Sequence, residues 1–156
     1  MAIEAPISKF KKKNLKIYII VLIGLASWCL YDGYFNDKWI EKHTDADGNP
    51  KDYLVFNRKA PPFFIGAAVL LGVYFFAIRN KKLIADENEL VISDKEKIPY
   101  DSIQKIDKTR FDSKGFFLIT YKNKNGSEAN RKLSDRTYDN LAAILDKLVA
   151  KIKGCE

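Results

Sequence analysis

Two long apolar stretches occupy the first half of the chain. They run over residues 15–31 and 62–78, each without an acidic residue. Their length is at the short end of the range that crosses about 30 Å of hydrocarbon as an α-helix. The pattern predicts two transmembrane helices, which with their flanking residues cover 15–35 and 61–79.

Basic residues flank these stretches on one side. Lys9 and three consecutive lysines at 11–13 precede the first and Lys16 lies at its start, whereas Arg79, Lys81 and Lys82 follow the second. Lys and Arg near span ends favour the cytoplasmic side. Residues 1–14 are therefore predicted to be a basic cytoplasmic N-terminus of a multi-pass protein of the cytoplasmic (inner) membrane, with the C-terminus also in the cytoplasm. Two basic residues at 58 and 59 oppose this orientation.

Two alternatives to a transmembrane hairpin stay open. A continuous apolar run is also typical of a buried helix in a soluble core. The lysine-rich start followed by an apolar run also resembles a secretory signal peptide. However, Trp28 directly before Cys29 fits neither a lipoprotein nor an A-x-A cleavage site. Aromatic residues at 28, 31, 34 and 35 are typical of the membrane interface, which favours an uncleaved anchor.

The segment between the two stretches, residues 36–60, is predicted to be an extracytoplasmic loop. Its centre, residues 45–50, reads DADGNP and is rich in turn formers. The flanking segments 39–43 and 53–56 are predicted to pair as a short two-stranded ribbon. A calcium loop of the EF-hand kind fails in register, because Gly48 in the glycine position would make His43 the first ligand and Leu54 the last.

After residue 82 the pattern changes to short alternating runs separated by polar turns. Such runs of four to seven residues predict an antiparallel meander. The Asn125-Gly126 pair is predicted to be the turn into the last strand. The predicted strands cover 83–85, 89–93, 97–100, 103–109, 116–122 and 127–133.

The last segment has the spacing of an amphipathic helix. Apolar residues recur at intervals of three and four between Tyr138 and Ile152. Ser134 or Asp135 is predicted to cap its first turn, and Gly154 to end it. Its apolar stripe should cover the sheet.

The tail resembles bacterial pleckstrin-homology-like (PH-like) domains carried on transmembrane hairpins. The resemblance covers residues 82–153 and lies in KLIADENELVI directly after a span, in IPYDSI at 98–103, in the strand at 116–121 and in the closing helix. It implies an α+β membrane protein: a two-helix transmembrane hairpin followed by a cytoplasmic PH-like bent antiparallel sheet, or partial barrel, capped by a C-terminal amphipathic helix. Only five or six of the seven strands of the full fold are expected.

The residue inventory argues against an enzyme. The whole chain has one histidine and two cysteines, at positions 29 and 155, and no nucleotide-binding or hydrolase motif. We therefore expect no catalytic residues, no cofactor and no metal site. A disulfide is not expected either, since one cysteine lies in a predicted span and the other beside the C-terminus.

Two binding functions remain, and the bilayer itself is a partner in both. The first is a non-enzymatic interaction or assembly module, a subunit or accessory factor that contacts other membrane or cytoplasmic proteins. Small residues in the spans, Gly24, Ser27, Ala68 and Gly72, are the candidates for helix packing. The alternative is binding of anionic lipid headgroups. Its candidate contacts are Lys105, Lys108, Arg110, Lys114, Lys122 and Lys124. Nucleic acid is not an expected partner, because no reading motif accompanies the net charge of +7.

Overall fold

The computed structural model describes residues 2–93, 96–123 and 125–152. The chain is α+β, with long helices and antiparallel sheets. It divides into two compact units. We call Met1–Lys12 together with Ala77–Glu156 the sheet domain, and Lys13–Phe76 the helical unit. The sheet domain is thus assembled from both ends of the chain.

Four helices follow one another between residues 9 and 78. They are α1 (Lys9–Tyr34), α2 (Asp37–Lys42), α3 (Asp52–Lys59) and α4 (Pro61–Ile78). Two stretches, Lys9–Tyr34 and Asp52–Ile78, are long and apolar enough to cross a membrane, and only 17% of the apolar window of each is buried. Large apolar side chains such as Ile20, Phe63 and Leu70 are 67 to 77% exposed. This exposure is unlike that of a soluble core helix.

The predicted ribbon between the spans is wrong, because both of its arms are helical. The side-chain oxygen of Asn36 accepts a hydrogen bond from Trp39 N–H and caps α2. Leu54 of α3 is only 1% exposed, so its burial supports a helix where local β propensity suggested a strand. Of the ribbon, only an isolated bridge between Thr44 and Pro50 is present. A bend at Ala60, directly before two prolines, separates α3 from α4.

Seven strands form the sheets of the sheet domain. The first sheet contains β1 (Ile3–Pro6), β2 (Lys82–Ala85), β3 (Glu89–Ser93) and β4 (Glu96–Pro99) in that order. The second contains β5 (Ile103–Asp107), β6 (Phe116–Lys122) and β7 (Glu128–Ser134). All neighbouring strands are antiparallel. Six strands lie where the alternating runs predict them, within three residues at their ends.

The remaining strand, β1, comes from the segment before α1. It pairs with β2 in a register that places Glu4 opposite Ile84 and Ala5 opposite Leu83. Ala5 is fully buried in the core. The sequence analysis did not predict this strand. The tail therefore supplies six strands, and the seventh comes from the segment that precedes the two long helices.

The two sheets enclose one core but do not close into a barrel. A 3₁₀ turn at Tyr100–Ser102 carries the chain from β4 to β5, and no strand pairing joins the two sheets in the part of the chain that the structure describes. Among the described residues, fifteen buried side chains form the core, from β1 through the last helix; the largest with no exposed surface is Phe117.

A last helix, α6 (Leu141–Lys151), buries Leu141, Ile144, Leu145 and Leu148 against this core and contacts β1 and β2. The predicted cap at Ser134 or Asp135 is wrong, since β7 extends through Ser134 and the helix begins seven residues later. Asn140, directly before α6, has a left-handed backbone conformation with a φ of 59°. The residues between β7 and α6 pair with the N-terminal segment of the chain instead. The predicted end at Gly154 lies outside the described residues.

A second correction concerns the segment between β5 and β6. The sequence predicts only a turn there, whereas the chain forms a short helix, α5 (Phe111–Lys114). Gly115 ends this helix with φ of 66°, a left-handed conformation that favours glycine.

Candidate functional site

The basic candidates fall on different parts of the second sheet. Lys105 lies on β5, opposite Thr120 of β6. Lys108, Arg110 and Lys114 lie in the connection from β5 to β6, which contains α5. Lys122 ends β6 at the opposite side of the sheet. Lys124 lies outside the described residues.

The length of β6 separates these groups. Phe116–Lys122 contains seven residues, which corresponds to about 20 Å of strand. Lys114 and Lys122 therefore lie at opposite ends of the sheet. The described candidates do not form one continuous basic patch.

An acidic residue lies among the basic residues of the β5–β6 connection. The Thr109 hydroxyl donates to Asp107 at 2.6 Å and the Thr109 N–H donates to the same oxygen at 3.0 Å. These hydrogen bonds, helped by Lys105 and Arg110, lower the pKa of the Asp107 carboxyl. A carboxylate at this place partly neutralises the adjacent basic groups.

An open cleft runs along β4, the edge strand of the first sheet. We call it the β4-edge cleft. Its volume is about 600 Å³, and one wall is formed by the β4 residues Glu96, Lys97 and Pro99. Tyr121 and Lys122, from the end of β6, line the opposite wall. The cleft is where the two sheets fail to close.

Ion pairs fix the charged side chains around this cleft. Arg131 Nη2 of β7 lies 3.2 Å from Glu96 Oε2, and Lys97 Nζ lies 3.0 Å from Glu89 Oε1. Such partly exposed pairs each contribute about 0 to 1 kcal/mol. The first pair links the two sheets beside the open edge. The cleft thus combines an edge strand, a half-buried tyrosine and charges of both signs.

A second cleft, the Phe10 cleft, lies where α1 begins. Phe10 is 58% exposed and lines a space of about 660 Å³ with Phe111, Lys114 and Arg136. Of the six basic candidates, Lys114 is the one that lines it. Asp112 and Asp135 line it as well, so basic, acidic and aromatic side chains lie side by side a few residues before the apolar part of α1.

A third cleft, of about 800 Å³, has four acids among its lining residues, namely Asp86, Glu87, Glu89 and Asp101. Tyr100 Oη donates to the Asp86 carbonyl at 2.8 Å. Burial, with added repulsion from Asp86 and Glu89, raises the pKa of Tyr100 to about 12. The phenol therefore stays protonated at neutral pH.

The predicted helix-packing residues do not share one environment. Ala68 is buried and Gly72 is half-buried, whereas Gly24 and Ser27 are exposed. Ser27 Oγ donates to the Ile23 carbonyl of its own helix. Close packing against α1 occurs at Gly33 instead. An added Cβ there would lie 3.2 Å from the Asn57 carbonyl oxygen of α3.

The N-terminal anchor of the sheet domain is a site that sequence reasoning missed. Ser8 is 1% exposed; its hydroxyl donates to the Arg136 carbonyl at 2.6 Å and accepts from Lys11 N–H at 3.1 Å. Asp139 Oδ2 accepts from Lys9 N–H. Ser8 is therefore the N-cap of α1 and also joins it to the segment after β7. A serine directly before a helical run was the available signal.

Within the described residues, no group of three His, Cys, Asp or Glu side chains is placed to hold a metal ion. Comparison of the chain with known protein families, with curated proteins and with solved structures finds no match. The PH-like resemblance therefore stays a prediction, and the β4-edge cleft is selected as the candidate docking site on its geometry alone.

Proposed function

We propose that this chain is a non-enzymatic two-pass membrane protein whose cytoplasmic PH-like domain is an interaction or assembly module. The observation that carries the proposal is the pairing of β1 with β2. One strand precedes the two apolar helices and the other follows them, so both ends of a membrane-spanning hairpin lie on the same side. The basic flanks favour the cytoplasm as that side.

The strand inventory supports the PH-like part of the proposal. Four strands and three strands, followed by a helix on the core, match the seven-stranded plan implied by the resemblance. On this interpretation the hairpin is an insertion between the first and second strands. The connections are short: two residues separate β1 from α1, and three separate α4 from β2.

The β4-edge cleft is the proposed docking surface. An edge strand has one unpaired side, and an extended segment of a partner protein can add to it. Tyr121 offers an aromatic contact, and the charges on both walls offer specificity. The partner is thus a membrane or cytoplasmic protein with an exposed extended segment.

Site-specific photocrosslinking in intact cells tests this proposal. A photoreactive amino acid at position 122, in the cleft, should give one discrete larger adduct. The matched control is position 105, an exposed lysine on β5 that does not line the cleft. Equal adducts from both positions, or none from position 122, would contradict the docking role.

A second candidate is anionic lipid binding at the Phe10 cleft. The observation that favours it is the grouping of Lys114, Arg136 and exposed Phe10 beside the start of α1. Near an anionic leaflet each basic residue adds about 1 kcal/mol. Binding of spin-labelled phosphatidylglycerol to the full-length protein, measured by lipid exchange, should be weaker in the Lys114→Gln variant and unchanged in the Lys105→Gln variant. Equal exchange in the two variants would refute this candidate.

A further inference from the structure

A pocket in the helical unit combines aromatic walls with a carboxylate and an indole N–H; among the described residues the first has no ion-pair partner and the second has no acceptor. It has a volume of about 400 Å³ and lies among the end of α1, α2, α3 and the start of α4. Pockets of about 300 to 1,000 Å³ accommodate small ligands. The side chains that the argument uses are Trp28, Asp32, Trp39, Tyr53, Phe56 and Phe64.

Asp32 is the first of the two polar groups. Its residue is 7% exposed, and its carboxylate accepts a hydrogen bond from Asn36 Nδ2 at 2.8 Å. No cationic side chain lies within 4 Å of it in the part of the chain that the structure describes. A carboxylate that receives one hydrogen bond from the protein can accept further hydrogen bonds or pair with a cation.

Trp39 supplies the second group. Its indole Nε1–H is buried and has no acceptor among the described residues. The Trp39 ring lies 4.0 Å from the His43 ring, which in turn contacts the Tyr53 ring at 5.9 Å. The indole donor is therefore held in an aromatic cluster at one wall of the pocket.

These features define the chemistry of a ligand. An ammonium group satisfies the Asp32 carboxylate and gains cation–π attraction from the surrounding rings. A phosphate oxygen next to it can accept the Trp39 N–H. A ligand that carries both an ammonium group and a phosphate group satisfies both of these polar groups.

The position of the pocket indicates where that ligand comes from. Between Leu15 and Asp32, α1 advances about 25 Å, close to the hydrocarbon thickness of about 30 Å. Exposed Trp28 and Phe63 lie at the same end of the helices. We propose that this pocket binds the ethanolamine headgroup of a phospholipid in the outer leaflet. The inference rests on the proposed insertion of the hairpin in a membrane.

Native mass spectrometry of the full-length protein tests the inference. The protein is released from detergent after incubation with equal amounts of phosphatidylethanolamine and phosphatidylglycerol. The parent protein should retain phosphatidylethanolamine about tenfold more, because only that lipid carries an ammonium group. The preference should fall to about twofold or less in Asp32→Asn. Asp52→Asn, at an exposed acid in the first turn of α3, is the control of equal charge and should keep the preference.

Trp39→Phe keeps the aromatic wall and removes the N–H donor, and it should weaken retention without abolishing it. Water-soluble phosphoethanolamine should not displace the lipid; full displacement would overturn the assignment to a bilayer lipid. Equal retention of both lipids by the parent protein would overturn the inference as a whole. Carbonate extraction distinguishes failure of this inference from failure of the proposed function. A protein that carbonate releases from membranes is not inserted, which contradicts the proposed function. A protein that stays in the bilayer but shows no lipid preference contradicts only the lipid-binding pocket.

Discussion

Removing the N-terminal strand should unfold the sheet domain. A fragment that starts at residue 82 lacks β1 with buried Ala5, and it lacks Ile7, which directly follows β1; these two residues are 0% and 4% exposed. It also uncovers β2, in which Leu83 and Ala85, the partners of Ala5 and Ile3, have no exposed surface. Joining residues 2–8 to residues 80–156 through a loop of about four residues should restore the domain, because β1 and β2 then form a hairpin.

The size of the effect follows from the buried surface. Full burial of Ile7 contributes about 2 to 3 kcal/mol and the methyl group of Ala5 about 0.8 kcal/mol. Partial exposure of Leu83 and Ala85 adds about 2 kcal/mol to the loss. The total of about 5 kcal/mol is comparable with the whole net stability of many small domains, about 5 to 15 kcal/mol. An uncovered β2 edge should also promote aggregation.

Urea unfolding followed by circular dichroism measures the difference. The joined protein should unfold in one cooperative transition, whereas the 82–156 fragment should show none. A joined protein that carries Ala5→Asp and Ile7→Asp has the same length and should behave as the fragment does. A fragment that unfolds cooperatively, with the same midpoint as the joined protein, would refute the assignment of β1 to this domain.

Three smaller perturbations follow from the same structure. Ser8→Ala should lower the free energy of unfolding by about 1 to 3 kcal/mol, because the variant loses a buried hydroxyl that donates one hydrogen bond and accepts another. The control Ser27→Ala, at an exposed position, should change the free energy of unfolding by less than about 0.5 kcal/mol. Gly115→Ala and Gly126→Ala should each destabilise the domain by about 1 kcal/mol, because both glycines have positive φ and the Asp135 carboxyl that an added Cβ would meet at position 115 belongs to an exposed side chain that can rotate away; a much larger loss at position 115 alone would contradict this. Because the pKa of Tyr100 is raised from 10.0 to about 12 in the folded protein, its contribution is complete below pH 10 and is lost as the pH rises through 12. The Tyr100→Phe variant should therefore lose less stability than the parent protein over that window, and parallel stability curves would refute the raised pKa.

The strands of the tail were predictable because their signal is local. In β6, for example, buried Phe117 and Ile119 alternate with half-buried neighbours, as the alternation of the sequence indicates. β1 has no comparable signal. It is four residues long, ends in proline, and its partner Lys82–Ala85 lies on the far side of two long helices. Pairing over that separation is decided by tertiary packing.

The helical unit shows a different limit of sequence reasoning. Spacing identified small residues in the spans, but it does not fix which face of a helix is covered. Gly24 is exposed, whereas Ala26 and Cys29 of the same helix are buried. The residues between the spans contain Trp39 and Tyr53, which favour strands, yet capping by Asn36 and the burial of Leu54 produce helices. The pocket beside Asp32 depends on these helices and was therefore invisible in the sequence.

The first strand of the sheet domain precedes the two long apolar helices, and the second strand follows them. A disulfide between these two strands tests their pairing in native membranes. In a background without Cys29 and Cys155, the pair Glu4→Cys and Ile84→Cys places two thiols directly opposite one another on β1 and β2. Their Cα atoms are about 4.5 to 5.5 Å apart, within the range that a disulfide spans.

A protease site introduced at residues 45–49 then separates the two halves of the chain. After mild oxidation and cleavage, the halves should stay joined on a non-reducing gel and separate when reductant is added. The control pair Glu4→Cys and Val91→Cys is two strands apart, about 9.5 Å, and should separate without reductant. Halves of the Glu4/Ile84 pair that separate as readily as the control would contradict a domain built from both sides of the hairpin.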